Sequence, residues 1–123
     1  MDVAIKNSRE ETFFLTDLLG ARAYLNGRRI GRLGDVVAVD QGKLAEITHF
    51  QITRPFGDPS LLIPLQRVRS FSPRGVALDI DDPAGYVRPL GPEEVPLKDY
   101  LLDKKVLGLS AGIRRNPQFR PLS

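Results

Sequence analysis

Ala21-Arg22-Ala23-Tyr24-Leu25-Asn26-Gly27-Arg28-Arg29-Ile30-Gly31-Arg32-Leu33-Gly34-Asp35-Val36-Val37-Ala38-Val39-Asp40 is the stretch whose pattern decides the fold class. Asn26-Gly27 is the preferred dipeptide of a two-residue hairpin, because both central positions need positive φ. A short strand over residues 21–25 therefore turns straight into a return strand over residues 28–40. Ile30, Leu33, Val36, Val37 and Val39 are spaced irregularly along that return strand, and Gly31 and Gly34 interrupt it. Glycines inside a strand mark a bulge or a sharp bend. A long strand with two bends belongs in a small, strongly curled sheet.

The same grammar continues downstream. Asp40-Gln41-Gly42-Lys43 reads as a turn, and residues 44–53 as a third strand with Ile47, Phe50 and Ile52 toward the core. Arg54-Pro55-Phe56-Gly57-Asp58-Pro59-Ser60 is a loop, since two prolines and a glycine do not continue a ladder. Leu61-Leu62-Ile63 resumes as a strand that Pro64 places at an edge or a break. Val68 and Phe71 extend the apolar pattern, Ser72-Pro73-Arg74-Gly75 turns, and Val76-Ala77-Leu78-Asp79-Ile80 alternates with period two. Five or six short strands in roughly 60 residues, separated by turn signals, predict an all-β fold: a small antiparallel β-barrel with an extended C-terminal segment.

The flanks differ in character. Residues 1–15 read as a lead-in, in which Ser8-Arg9-Glu10-Glu11 has the capping-box form that can start a short helix. Thr16-Asp17-Leu18-Leu19 suggests one helical turn closed by Gly20. Pro83, Pro89, Pro92 and Pro96, with Gly85 and Gly91 among them, mark residues 83–96 as an extended linker. Residues 97–112 echo residues 15–27, and the chain after them ends in a basic tail. The chain thus divides into a lead-in (1–15), a barrel-like domain (16–82), a linker (83–96) and a partial second repeat with its tail (97–123).

Composition narrows the function classes. The 123 residues hold 18 Lys and Arg against 15 Asp and Glu, a net charge of +3. Arg114, Arg115 and Arg120 of the tail equal that whole excess, so residues 1–113 are balanced. With no cysteine, thiolate catalysis and cysteine zinc sites have no ligands to use, and a single histidine argues against a histidine-built metal site. No cofactor is expected. No apolar run reaches the roughly 18 residues of a membrane span. No signal peptide is visible at Met1 to Lys6, so a cytoplasmic protein is expected.

Leu18-Leu19-Gly20, Asn26-Gly27, Arg29-Ile30-Gly31, Leu33, Asp35-Val36-Val37 and Asp40, followed by Ile63-Pro64-Leu65 and Val76, Leu78 and Ile80, resemble in order the PRC-barrel family over residues 16–82. That family is a small antiparallel β-barrel found in the H subunit of the purple bacterial photosynthetic reaction centre, in a ribosome maturation factor, and as fused or stand-alone modules. The resemblance implies a docking module without shared catalytic residues. The expected function is therefore non-enzymatic: binding of a protein partner, with a homodimer as one form of it. An RNA- or ribosome-associated factor is the alternative.

Gly108-Leu109-Ser110-Ala111-Gly112 has the spacing of a nucleophile elbow. That elbow needs an acid and a histidine after the serine, and none follows Ser110, so the segment reads as a turn of small residues. His49 reads as a strand residue whose titration range alone offers a proton role. Asp79, Asp81 and Asp82 lack the spacing of a calcium loop and read as a solvated strand end. Gly27, Gly31 and Gly34 serve a bent hairpin, since no lysine-serine pair follows them as in a phosphate loop. The candidate partner-binding residues are Arg22, Arg28, Arg29 and Arg32 around the hairpin, joined by Arg67 and Arg69, with Arg74 nearby. On a curled sheet these would form one basic face for an acidic protein or RNA.

Overall fold

The computed structural model describes residues 3–7, 9–40 and 45–99. It is mostly β-strand. β1 (Ala4–Lys6) and β2 (Thr12–Phe14) pair as a small hairpin sheet. A single helical turn, α1 (Leu15–Leu18), follows, as the Thr16-Asp17-Leu18-Leu19 segment suggests. β3 (Arg22–Leu25), β4 (Arg28–Asp40), β5 (Ala45–Thr53), β6 (Leu61–Pro64), β7 (Val68–Ser72), β8 (Gly75–Leu78) and β9 (Glu94–Pro96) form one seven-stranded sheet. Its order is β6-β5-β4-β3-β8-β7, with β9 added on β4. Among the described residues no helix is long and apolar enough to cross a membrane.

The hairpin forms where the sequence puts it. Asn26 and Gly27 take φ of 53° and 77°, and Leu25 faces Arg28 across the turn. The β3–β4 register then slips by one residue at Ile30, and the β4–β5 register slips at Gly34 and again after Val37. These slips bend the 13-residue β4. Its first part pairs with β3, its later part with β5 on the other edge, and residues 37–39 also pair with β9. Gly31 is obligatory at the bend, because a Cβ there would collide with the Thr53 carbonyl oxygen of β5.

The fold is all-β, and three features depart from the expected antiparallel barrel of five or six strands. β3 and β8 are parallel, so the sheet is mixed. β9 makes a seventh strand. Among the described residues the ring is also not closed by hydrogen bonds, because no ladder joins the edge strands β6 and β7. The pairings make β6 and β7 run in the same direction, and the 3₁₀ turn Leu65–Arg67 carries the chain from one edge to the other. Pro64 begins that change, since a proline cannot donate to a continuing ladder.

The flanks are structural parts rather than attachments. Val3 and Ile5 are buried in the main core, Leu15 N–H donates to the Val3 carbonyl, and residues 9–14, where the capping-box pattern suggests a helix, are turn and strand. Instead Asn7 Oδ1 accepts from the N–H groups of Arg9 and Glu11 and shapes the β1–β2 turn. The segment 83–96, read as a linker, folds back onto the sheet. Its 3₁₀ turn Pro83–Tyr86 packs against β6, β9 pairs with β4, and Leu97 is fully buried. The core is one cluster including Leu15, Leu18, Leu33, Val36, Phe50, Ile52, Leu61, Ile63, Val76, Leu78 and Leu97. The Gly108–Gly112 motif with Ser110, most of the partial repeat, and the tail arginines lie outside the described residues.

Candidate functional site

The arginines divide between two regions. Arg22 and Arg32 are directly opposite on β3 and β4, and Arg29 and Arg28 face Tyr24 and Leu25 at the hairpin end. All four are exposed. Arg67 lies in the 3₁₀ turn and Arg69 on β7, two strands beyond β3 in the sheet order. Arg69 Nη2 stands 3.7 Å from Asp79 Oδ1. Arg74 occupies the β7–β8 turn. The register thus groups Arg22, Arg28, Arg29 and Arg32, while Arg69 lines a different groove and Arg67 lies in the 3₁₀ turn beside it.

The hairpin arginines meet a residue that the sequence reading passed over. Loop 54–60 contains a tight turn in which Asp58 N–H donates to the Pro55 carbonyl at 3.3 Å. Phe56 and Gly57 take φ of 61° and 75° at its two central positions. Positive φ at both positions defines a type I′ turn, which Gly, Asn and Asp favour. An L-residue with a bulky side chain there costs about 1–2 kcal/mol. Arg54 Nε donates to the Pro59 carbonyl at 2.8 Å and braces the loop. The Phe56 side chain is nevertheless 98% exposed, so it contributes almost no burial within the chain.

A cleft of about 450 Å³ runs beside Phe56, walled by Arg29, Ile30, Arg32, Thr53, Arg54 and Pro55. Among the described residues, three arginines and no acidic residue line it. Arg32 Nη1 is steadied by the Gly20 carbonyl at 3.0 Å, which leaves its other donors available. Arginine presents five fixed donors suited to carboxylates and phosphates, and its plane stacks on aromatic rings. An exposed ring beside three arginines is thus equipped to hold an anionic surface carrying an apolar or planar group. The signal in the sequence was a phenylalanine inside a Pro-Phe-Gly-Asp-Pro loop, but only the pairing of β4 with β5 brings Arg54 beside Arg32.

Other charged groups are absorbed by the fold. Asp35 is buried, and its Oδ1 accepts from Val36 N–H at 2.7 Å and Lys98 N–H at 2.9 Å. Burial raises its pKa above the ordinary value, against those two hydrogen bonds. It fastens residues 97–98 to β4, alongside the Leu97 N–H to Val36 carbonyl bond. Glu94 accepts a two-point contact from Arg88, Nη1 to Oε1 at 2.7 Å and Nη2 to Oε2 at 2.8 Å, plus Gly91 N–H at 2.6 Å. Chiefly the Arg88 hydrogen bonds bring Glu94 down to about 2.

His49 joins this cluster, with Nδ1 2.8 Å from Thr48 Oγ1 and 3.5 Å from Glu94 Oε2. Arg88 Nη2 lies 3.3 Å from His49 Nε2, which must accept, because a guanidinium only donates. Burial lowers the His49 pKa, in keeping with a neutral ring. The cluster ties residues 88–94 to β5. Asp82 Oδ1 caps the turn Pro83–Tyr86 through Ala84 N–H. Among the described residues no group of three or more His, Asp or Glu side chains gathers to hold a metal ion. No family model matches this chain, and neither a curated protein nor a solved structure matches it.

Proposed function

We propose that this chain is a non-enzymatic protein-docking module of the PRC-barrel type, with Phe56 and the cleft of Arg29, Arg32 and Arg54 as its contact surface. The observation that carries this reading is Phe56, held in a costly backbone conformation and almost wholly exposed. Backbone strain without a return in packing points to a use outside the fold. Exposed aromatic and arginine side chains are the residue types that dominate binding energy at protein interfaces. The absence of acid in the cleft lining selects an acidic partner segment carrying an apolar side chain.

The resemblance over residues 16–82 supports the same reading. Its main features are the bent β4 after Asn26-Gly27 and the Asp35-Val36-Val37 step. Asp35 acts there as a buried fastener, a role that fits a scaffold. RNA is the second reading, favoured by one feature: the same three arginines suit phosphates and Phe56 suits base stacking.

A photo-reactive phenylalanine analogue at position 56 tests both. Illumination in the native cell is expected to give a discrete protein adduct that proteases remove and nucleases do not. A nuclease-sensitive adduct assigns the surface to RNA, and an adduct of doubled mass assigns it to self-association. Absence of any adduct at position 56, with adducts at Tyr24 or Arg74 instead, overturns the assignment of the surface.

A further inference from the structure

We propose that two adjoining cavities beside β7, between β1, β5 and the 3₁₀ turn Leu65–Arg67, form a binding site for a single-chain amphipathic carboxylate of medium length. Among the described residues β7 is an edge strand of the main sheet, without a ladder on its outer side. One cavity is a chamber of about 300 Å³ lined by Ile5, Ile47, Phe50, Leu65 and Phe71, with Lys6 and Asn7 also on its wall. The Phe71 ring stands edge-on to Phe50 at a centroid distance of 5.0 Å and to Phe13 at 6.4 Å, so the apolar wall is fixed in place.

Lys6, Asn7, Leu65 and Phe71 belong both to this chamber and to an outer groove of about 520 Å³, which makes the two adjoin. Lys6, Arg9 and Arg69 supply the charge of the outer groove, against one carboxylate, Glu11. Glu11 Oε1 is already engaged by Asn7 Nδ2 at 3.1 Å. Lys6 and Arg69 hold their neighbours Glu10 and Asp79 only at 3.9 and 3.7 Å, on exposed side chains. Such pairs contribute little and yield readily to a competing anion. Arg9 has no ion pair among the described residues.

A mainly apolar chamber adjoining a cationic groove sorts ligands by polarity. A hydrocarbon tail enters past Leu65 and Phe71, and the carboxylate stays among Lys6, Arg9 and Arg69. Both cavities are of the size that holds small ligands. Each methylene removed from water tightens binding about fourfold. Affinity is therefore set by tail length until the chamber is full.

Isothermal titration of the full chain with hexanoate, octanoate and decanoate, each below its micelle concentration, reads this directly. The expected result is one-to-one binding that strengthens about fourfold per methylene and then levels off. Decylamine is expected not to bind. The double variant Arg9→Glu, Arg69→Glu, at exposed positions, is expected to weaken decanoate at least tenfold while its circular dichroism spectrum is unchanged. Ile47→Trp, which fills the chamber, is expected to move the levelling-off to a shorter acid. Equal binding of decylamine, affinity independent of tail length, or full decanoate affinity in the double variant overturns the proposal. Capture by phosphatidylglycerol vesicles with no response to monomeric decanoate likewise overturns it, and would assign the basic groove to a lipid surface. None of these outcomes depends on Phe56, so failure here leaves the docking surface to its own test.

Discussion

Replacing Glu94 with glutamine isolates the strongest charged contact in the structure. The Glu94 side chain is 10% exposed and receives Arg88 at two points and the Gly91 N–H. The drop of its pKa from 4.5 to about 2 corresponds, at roughly 1.4 kcal/mol per pH unit, to a ceiling of about 3 kcal/mol. Arg88 is 45% exposed, so solvent screens the pair. The expected contribution is about 1–2 kcal/mol.

The sign follows from linkage. A carboxylate with a lowered folded pKa stabilises fully above its unfolded value and loses that contribution as pH falls through the folded value. Urea unfolding of wild type and Glu94→Gln should therefore differ by about 1–2 kcal/mol at neutral pH. Glutamine resembles the protonated acid, so the gap should shrink steadily between about pH 5 and pH 2. A gap that keeps its neutral-pH size throughout that range, or no gap at neutral pH, would refute the reasoning.

Substitutions at four further positions separate structural from functional residues. Asp35→Asn keeps the oxygen that accepts from Val36 and Lys98 and removes a buried charge, so its stability at neutral pH should equal or exceed wild type, whereas Asp35→Ala strands both N–H groups and should cost about 1–3 kcal/mol by urea unfolding. The raised Asp35 pKa also means that wild type gains stability from this group as pH falls toward the unfolded value of 3.8, a gain that Asp35→Asn should lack in the same titration. Gly31→Ala drives a methyl into the Thr53 carbonyl oxygen and should lower stability by about 1–3 kcal/mol, while Gly27→Ala should show conformational strain without a collision. Phe56→Gly relieves a positive φ and removes almost no packing, so thermal unfolding should show no loss of stability; a loss above about 1 kcal/mol would contradict a role outside the fold.

The chain's local signals were enough for its class and for the start of its sheet. Asn26-Gly27 specifies positive φ twice in succession, and that requirement is local, so the hairpin was legible. Gly31 and Gly34 marked bends because a missing side chain inside a strand has few other uses, and the register slips fall beside Gly31 and at Gly34. The single helical turn at α1 followed from its own residues and the glycine after it.

Partnership between distant segments was not legible in the same way. The four prolines over residues 83–96 describe a chain that avoids regular ladders, yet β9 needs only three residues to pair with β4. Val3 and Ile5 looked like a lead-in because two buried residues leave no periodicity to detect. The parallel contact of β3 with β8 depends on how the whole sheet curls. His49 meets Arg88 from 39 positions away, and Arg54 reaches the cleft of Arg29 and Arg32 through strand register. Turn chemistry and alternation are properties of neighbouring residues, and they determined that this protein is a curled β structure. Which charges are buried, which are paired and which aromatic is left in water are properties of long-range pairing, and only the tertiary structure decided them.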